Sequence, residues 1–318
     1  MKTWRLAALA ALLLSTGSAW AAYPDRPVRI IVPVAPGGTL DTMARLAAEY
    51  LRVHMHGTFL VENKPGANSE IGSSYVSRAT PDGYTLLVNS DSLVTVSITS
   101  KNGAIHPVEG FTPVSMLISS PNVLVARPDL GAKTIQQFMT LAKAKPLAVA
   151  STGAGTGSQF TGMWFKQESG IKWTDVPYNG SGPAVADLLG GHVDAMWSMA
   201  ASVLPHVKAG KLVPLAVTTK APTPQLPGVP TVDASVLPNF IVSNWTGLFA
   251  PPGTPAAVVA SLSKQMSAMM KDPEQVTKVE ELGFEPVGSD PATLGKEVRS
   301  SLARWTKIAR EAELTKGE

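Results

Sequence analysis

Val28-Arg29-Ile30-Ile31-Val32-Pro33-Val34, followed by Ala35-Pro36-Gly37-Gly38-Thr39-Leu40-Asp41, is the stretch on which the fold turns. The β-branched run predicts a buried strand that ends at Pro33 and Pro36. Leu40, Ala44, Ala47 and Leu51 then recur at helical spacing, so a helix opens at Thr39 or Leu40. A strand, a glycine turn and a helix in this order aim free backbone N–H groups and a helix N-terminus at one point, which suits an anion. The same unit returns later in the chain. A weaker run, Leu147 to Ala150, leads into Ser151-Thr152-Gly153-Ala154-Gly155-Thr156-Gly157-Ser158-Gln159 and a helical stretch carrying Phe160, Met163 and Trp164. Two such turns, one in each half, can hold an anion between them.

The remaining elements follow a βαβ rhythm. Phe59 to Glu62 and Tyr84 to Val88 read as strands, with a short helix over Ile71 to Ala79 and a loop at Asn89-Ser90-Asp91-Ser92. Strands alternating with helices mean an α/β fold with parallel strands, whose ligands sit beyond the carboxyl ends of those strands. Val114 to Ile118 and Asn122 to Ala126 are expected as two strands broken by Ser119-Ser120-Pro121, where the chain changes lobe. The second lobe continues with a helix over Thr134 to Ala144, a strand over Trp173 to Val176 and a turn at Pro177-Tyr178-Asn179-Gly180. There follow a helix with Pro183 at its first position, strands over Val193 to Trp197 and Leu215 to Thr218, and a helix over Leu204 to Ala209 between them. Ile241 to Ala250 reads as the return crossing. Three helices, opened by Thr254-Pro255, Asp272-Pro273 and Asp290-Pro291, then pack back on the first lobe, the last running to about Leu314.

The N-terminus and the composition bound the function. Lys2 and Arg5, the apolar run Leu6 to Leu14, and Ala19-Trp20-Ala21 spell a secretory signal peptide over residues 1–21, cleaved near Ala21. The mature protein is therefore expected in the periplasm. Cysteine is absent, so an exported chain of this kind must rely on its core rather than on disulfides. Without Lys2 and Arg5, 25 basic residues face 24 acidic ones. A near-neutral chain with no basic blocks argues against nucleic acid as a partner. The five histidines, His54, His56, His106, His192 and His206, have no metal-ligand spacing, and no cofactor is expected. No Gly-x-Ser-x-Gly or His-Glu-x-x-His motif offers a catalytic centre.

Several stretches carry a resemblance. They are Tyr23-Pro24-Asp25-Arg26-Pro27 with Pro36-Gly37-Gly38 and Asp41, Val61-Glu62-Asn63-Lys64-Pro65-Gly66-Ala67, and Pro81-Asp82-Gly83-Tyr84-Thr85-Leu86. Others are Val176-Pro177-Tyr178-Asn179-Gly180, Asp187-Leu188-Leu189-Gly190-Gly191-His192-Val193-Asp194, Leu204-Pro205-His206 with Lys208-Ala209-Gly210-Lys211-Leu212, and Gly247-Leu248-Phe249-Ala250-Pro251. In order and spacing the chain resembles the substrate-binding proteins of tripartite tricarboxylate transporters, the Bug-type family of exported solute receptors. The resemblance implies an α/β, two-lobed periplasmic-binding-protein-like (type II) fold. Each lobe would be a βαβ sheet flanked by helices, with the cleft between lobes. Lobe 1 would comprise residues 22–121 with 242–318, and lobe 2 residues 122–241. The resemblance also implies a monomer that captures a small carboxylate and delivers it to two membrane subunits. The carboxylate would be held by main-chain N–H groups and water from the turns at Pro36 to Asp41 and Ser151 to Ser158, with Tyr178, Asn179, Gly180 and Ser181 beside the second. The sequence departs from the family wording at Thr39, Leu40, Gln159 and Asp91, which bears on the ligand rather than on the class.

Individual residues have competing readings. Gly153 to Ser158 lacks the Gly-Lys-Ser/Thr ending of a phosphate loop, so phosphate is the weaker reading. Asp41 is read first as a helix first-turn carboxylate that fixes its turn. Asp91 is either a solvated loop charge or the acceptor for an ammonium or hydroxyl group of the ligand. Tyr178 and Trp245 are expected to wall the pocket where the lobes meet, with Trp197 either beside them or in the core. Asn89 and Ser90 complete the candidate site. A ligand-loaded sensor or scaffold and an exported enzyme on a related fold are the competing functions.

Overall fold

Val28, Ile30, Ile31 and Val32 are fully buried, so strand β1 (Val28–Val32) is covered on both faces. A near-continuous apolar run is what a parallel strand inside an α/β sheet needs. β1 pairs in parallel with β2 (Phe59–Asn63) on one side and β3 (Thr85–Ser90) on the other. Helix α1 (Thr39–His54) crosses between β1 and β2 and buries Leu40, Met43, Ala44, Ala47, Ala48 and Leu51, an apolar stripe at i, i+3 and i+4 spacing. Helix α2 (Glu70–Ser77) connects β2 to β3, and α3 (Ser92–Thr99) follows β3 directly.

The computed structural model describes residues 23–100, 105–153 and 155–311. The leader expected over residues 1–21 lies outside them, as do Ala154 and the end of the last predicted helix.

The second lobe repeats the plan. Helix α4 (Ile135–Ala144) precedes β5 (Ala148–Ser151), and α5 (Gly157–Ser169) connects β5 to β6 (Thr174–Pro177). Helix α6 (Ser181–Leu189) leads to β7 (Ala195–Met199), and α7 (Ala200–Lys208) to β8 (Val213–Val217). A one-turn helix, α8 (Val232–Ser235), precedes the return strand β9 (Ser243–Ala250). Helices α9 (Ala256–Met269) and α10 (Pro273–Glu281), the short strand β10 (Glu285–Pro286) and helix α11 (Pro291–Glu311) complete the described chain. The strand order is β2-β1-β3-β9-β4-β7-β5-β6, with β8 and β10 also on β4. Thus β2-β1-β3 in one lobe and β6-β5-β7 in the other are equivalent parallel triplets. Each glycine turn follows the middle strand of its triplet.

The expectation of two strands at 114–126 is corrected. Strand β4 (Thr112–Ala126) runs unbroken through Ser119-Ser120-Pro121. It pairs with β9 as far as Pro121, and with β7 and β8 from Asn122 onward. Proline prefers the extended form and pushes the residue before it there too. Pro121 stands where β4 changes partners, so its missing N–H interrupts neither ladder. Other boundaries shift less: α7 begins at Ala200 rather than Leu204, and α6 begins at Ser181, placing Pro183 third. Helix α3, Ser-Leu-Val-Thr-Val-Ser-Ile-Thr, is β-branched enough that local propensity gives no helical signal, and its burial makes it helical all the same.

The last helix does more than cover lobe 1. Helix α11 packs on β4 and α3 and also on α5 of the other lobe. Trp305, 1% exposed, meets Phe160 edge-on with ring centroids 5.6 Å apart and Trp164 at 6.2 Å. Truncating a buried tryptophan removes its transfer energy and leaves a cavity. Trp305→Ala is therefore expected to cost about 3–5 kcal/mol in urea unfolding, and an effect under 1 kcal/mol would contradict this packing.

Candidate functional site

Asp41 sits at the third position of α1, under the first glycine turn. Its carboxylate accepts from Gly37 N (3.0 Å), Asn63 Nδ2 (2.9 Å), and Arg45 Nε and Nη2 (2.9 and 3.0 Å). The Arg45 guanidinium, more than the Gly37 and Asn63 donors, holds its pKa down at about 2. Its contacts tie the turn at Gly37 to Arg45 of α1 and to Asn63 at the end of β2, and Asp41 does not line the cavity. The N–H groups of Thr39 and Leu40, at the first positions of α1, have no intrahelical acceptor, and both residues line the cavity.

The second turn is built the same way with hydroxyls. Thr156 caps α5, and its Oγ1 donates to Gly153 O at 2.7 Å. Ser158 Oγ accepts from Thr152 N at 3.0 Å. Gly157 and Ser158 are the first two helical residues, with N–H groups that likewise have no intrahelical acceptor, and both line the same cavity. Two helix N-termini, one per lobe, therefore border one space. A side chain on Gly157 has no room: its Cβ would fall 2.1 Å from Asp91 Oδ2 and 2.5 Å from Asn244 Oδ1.

That space is a cavity of about 170 Å³ between the two parts of the sheet. Its hydroxyl-bearing side includes Thr39, Ser90, Ser92, Ser119, Ser120, Thr152, Thr156, Ser158 and Thr246. Its apolar side is Leu40, Ile118, Met199, Trp245 and Phe284. Asp91 is the only ionisable side chain among the described residues that line it. Burial pushes the Asp91 carboxyl up to about 7, against weaker help from Ser90 and Ser92. Trp245, 2% exposed, has its indole Nε1 buried with no hydrogen-bond partner among the described residues.

Of the expected site residues, the cavity brings together Thr39, Leu40, Ser90, Asp91, Thr156, Gly157, Ser158 and Trp245. The others stand behind it or elsewhere. Pro36, Gly37 and Gly38 form the turn without lining the cavity. Asn89 is fully buried and orders the loop, donating to Ser73 Oγ (3.0 Å) and accepting from Ser90 N and Ser92 Oγ (2.8 and 3.0 Å). Gly155 N is taken by Gln159 Oε1 at 2.7 Å, so neither residue serves the cavity. Ser151 ends β5, and Gly153 shapes the turn behind Thr156. Tyr178 turns away to Asp187 Oδ2 (2.7 Å), its hydroxyl raised to about 12 mainly by burial. Asn179, Gly180 and Ser181 follow it at the end of β6, where Gly180 N donates to Thr152 O at 3.0 Å. Trp197 lies in the core against Phe165 and Phe240, because its strand position points at α5 rather than at the cleft.

Behind the cavity runs a buried network that the sequence reading did not anticipate. Asn244 Nδ2 donates to Asn122 Oδ1 (2.7 Å), Asn122 Nδ2 to Thr161 Oγ1 (2.8 Å), and Thr161 Oγ1 to Gly157 O (2.7 Å). Thr218 Oγ1 accepts from Asn122 N (3.0 Å) and donates to Val242 O (2.5 Å). These residues join both crossing strands to the start of α5. The available signal was a polar residue at the head of an apolar run, Asn122 before Val123-Leu124-Val125-Ala126, since a buried amide must find partners. Met199 and Phe284 carried no such signal.

The profile of the tripartite tricarboxylate transporter family receptor matches residues 43–314. An Agrobacterium vitis protein, named for its place in the TAR-I ttuE-ttuC' intergenic region, is 37% identical over 314 residues, covering 96% of this chain and 91% of its own. The solved periplasmic binding protein BugD is 33% identical, with a TM-score of 0.76 over 92% of this chain and 99% of that one. Rhodopseudomonas palustris MatC with bound malate is 31% identical, with a TM-score of 0.76 over 90% and 99% of the two chains. R. palustris Rpa4515 with adipate is also 31% identical, with a TM-score of 0.80 over 92% and 99%.

Two outcomes follow from the geometry. Gly157→Ala should displace Asp91 and Asn244, weakening the binding of any acid that the parent takes at least tenfold in calorimetry while circular dichroism stays native. Asp41→Asn should cost about 1–2 kcal/mol at pH 7, with the exposed Arg45 partner keeping the figure modest. Because its pKa is depressed, Asp41 contributes fully above the ordinary carboxylate range and loses that contribution as pH falls from about 4 through about 2. The gap between parent and variant in urea melts should close over that window, and a pH-independent gap would contradict the assignment.

Proposed function

We propose that this chain, which belongs to the tripartite tricarboxylate transporter receptor family, is an extracytoplasmic receptor that captures a small carboxylate between its lobes. The observation that carries the reading is the convergence of Thr39-Leu40 and Gly157-Ser158 on one small cavity. Helix N-termini favour an anion through unpaired N–H groups and the helix dipole, without a charged clamp. Trp245 adds an aromatic wall to the same space. The bound malate and adipate of the two R. palustris relatives are carboxylates of similar scale, which supports the class.

In this reading residues 22–121 with 242–318 form one lobe and 122–241 the other. The hinge lies at the change of partners in β4 and at the start of β9. The ligand meets one N-terminus first, and closure adds the second and excludes water. A ligand shifts such a hinge only by its differential affinity for the closed form. The closed, loaded monomer then presents both lobes to two membrane subunits in the periplasm. Ligand-free protein should be screened by thermal unfolding against mono-, di- and tricarboxylates, amino acids and aromatic acids. A specific acid at 100 times its dissociation constant should add about 2.7 kcal/mol. No response to any acid would count against a carboxylate receptor.

A further inference from the structure

The cavity presents its two helix N-termini to an anion, yet its one ionisable wall residue is itself an acid. Asp91 is 9% exposed and held by its backbone at the junction of β3 and α3. Its N–H donates to Trp245 O (3.3 Å), and its carbonyl accepts from Val94 N (3.0 Å) and Thr95 N (3.2 Å). These bonds fix the Asp91 backbone where β3 passes into α3, with the side chain on the cavity wall. Across the cleft it lies over Gly157, in the space a side chain would need.

No cation answers it. Among the described residues that line the cavity there is no lysine, arginine or histidine, and the charged side chain that acts on Asp91 from the packed α11 is another acid, Glu297. The neighbours contributed by β9 and α5, Trp245, Gly157 and Ser158, carry no formal charge, and the α5 N-terminus offers Asp91 only a partial one. A dicarboxylate here would add two negative charges beside an unpaired buried third. A buried charge is tolerated when it is paired and hydrogen-bonded, so the missing partner has to arrive with the ligand.

We propose that Asp91 is the counter-charge for an ammonium group, and that the ligand is a small amino-carboxylate whose carboxylate faces the helix N-termini. The inference rests on the carboxylate-receptor reading and narrows it to acids that also carry an ammonium group. Size agrees. A cavity of about 150 Å³ accommodates benzene, so about 170 Å³ suits a ligand of about six to ten non-hydrogen atoms. Ser90 and Ser92 flank Asp91 as further acceptors for the ammonium protons. The raised Asp91 pKa fits a buried acid with no cationic side chain beside it among the described residues.

Calorimetry at pH 8 on the ligand-free full chain tests this with matched pairs: leucine and 4-methylpentanoate, 4-aminobutyrate and butyrate, glutamate and glutarate, aspartate and succinate. At least one amino member should bind tenfold or more tightly than its deamino partner. Asp91→Asn should erase most of that preference, and the amino member's affinity for the parent should fall as pH drops from 8 to 6 and Asp91 protonates. Unfolding midpoints check that the variant is folded; at pH 8 it should match or exceed the parent, since a buried charge has been removed. Equal or tighter binding of the deamino acids, strengthening toward pH 6, would overturn the proposal and leave the carboxylate reading standing, with a protonated Asp91 as donor. Failure of every acid to bind would remove both. A preference unchanged in Asp91→Asn would assign ammonium recognition elsewhere and also overturn it.

Discussion

The hydrogen bond between Asn244 and Asn122 is the constraint around which the molecule is arranged. Each amide lies on a strand that crosses between lobes, and each is nearly inaccessible to water. A buried amide left unpaired costs about 1–3 kcal/mol, so the two crossings are held in one register. Asn122 passes the constraint to Thr161, and Thr161 to the first carbonyl of α5. The helix end that faces the cavity is thereby positioned from the strand crossings. Thr218 closes the circuit by joining the β4 crossing to the backbone just before β9. The strand crossings and the cavity wall share one set of hydrogen bonds, so a displacement at either is felt at the other.

From that frame the symmetry of the site follows. Middle strands β1 and β5 occupy equivalent places in their triplets, and each delivers its chain into a turn and a helix N-terminus. Ligands of open α/β sheets sit beyond the carboxyl ends of strands at such switch points. With both ends facing one cavity, a favourable field for an anion arises from backbone dipoles, and a near-neutral surface does not oppose it. The turns are stiffened differently. Asp41 and Arg45 brace the first with charge, whereas Thr156, Thr152 and Ser158 brace the second with hydroxyls.

Much of this was legible because the strand–turn–helix units are local. Val28 to Leu51 and Leu147 to Trp164 contain their own signals: β-branched runs, glycines, then helical spacing. Asp41 could be read as structural from its place in the first helical turn. The misreadings come from tertiary context. Pro121 looked like a break because proline usually ends a strand, and only the change of partners on β4 makes it harmless. Tyr178 and Trp197 have the same apolar-with-polar-tip character as Trp245, and which of them faces the cleft depends on strand register against α5. Phe284 reaches the cavity from a turn about forty residues beyond β9's start, where no local pattern can announce it. Asn122 and Asn244 are ordinary residues until the crossings bring them together.

Five described non-glycine residues have positive φ, and three of them stand together beside the cleft. Ala67, Asn68 and Ser69 are consecutive non-glycine residues with positive φ (45°, 52° and 79°), each a strained conformation costing on the order of 1 kcal/mol. This segment reaches across the cleft: Asn68 Nδ2 lies 3.4 Å from where a Cβ on Gly155 would be. Asp91, a carboxylate without a cation, breaks a second rule on the same rim. An asparagine at 91 and ordinary turn residues at 67–69 would give a more stable chain, and the large apolar core under α11 and β4 supplies the stability that offsets both. Departures of this kind persist where the surrounding structure over-determines them, and they gather where a protein handles a ligand.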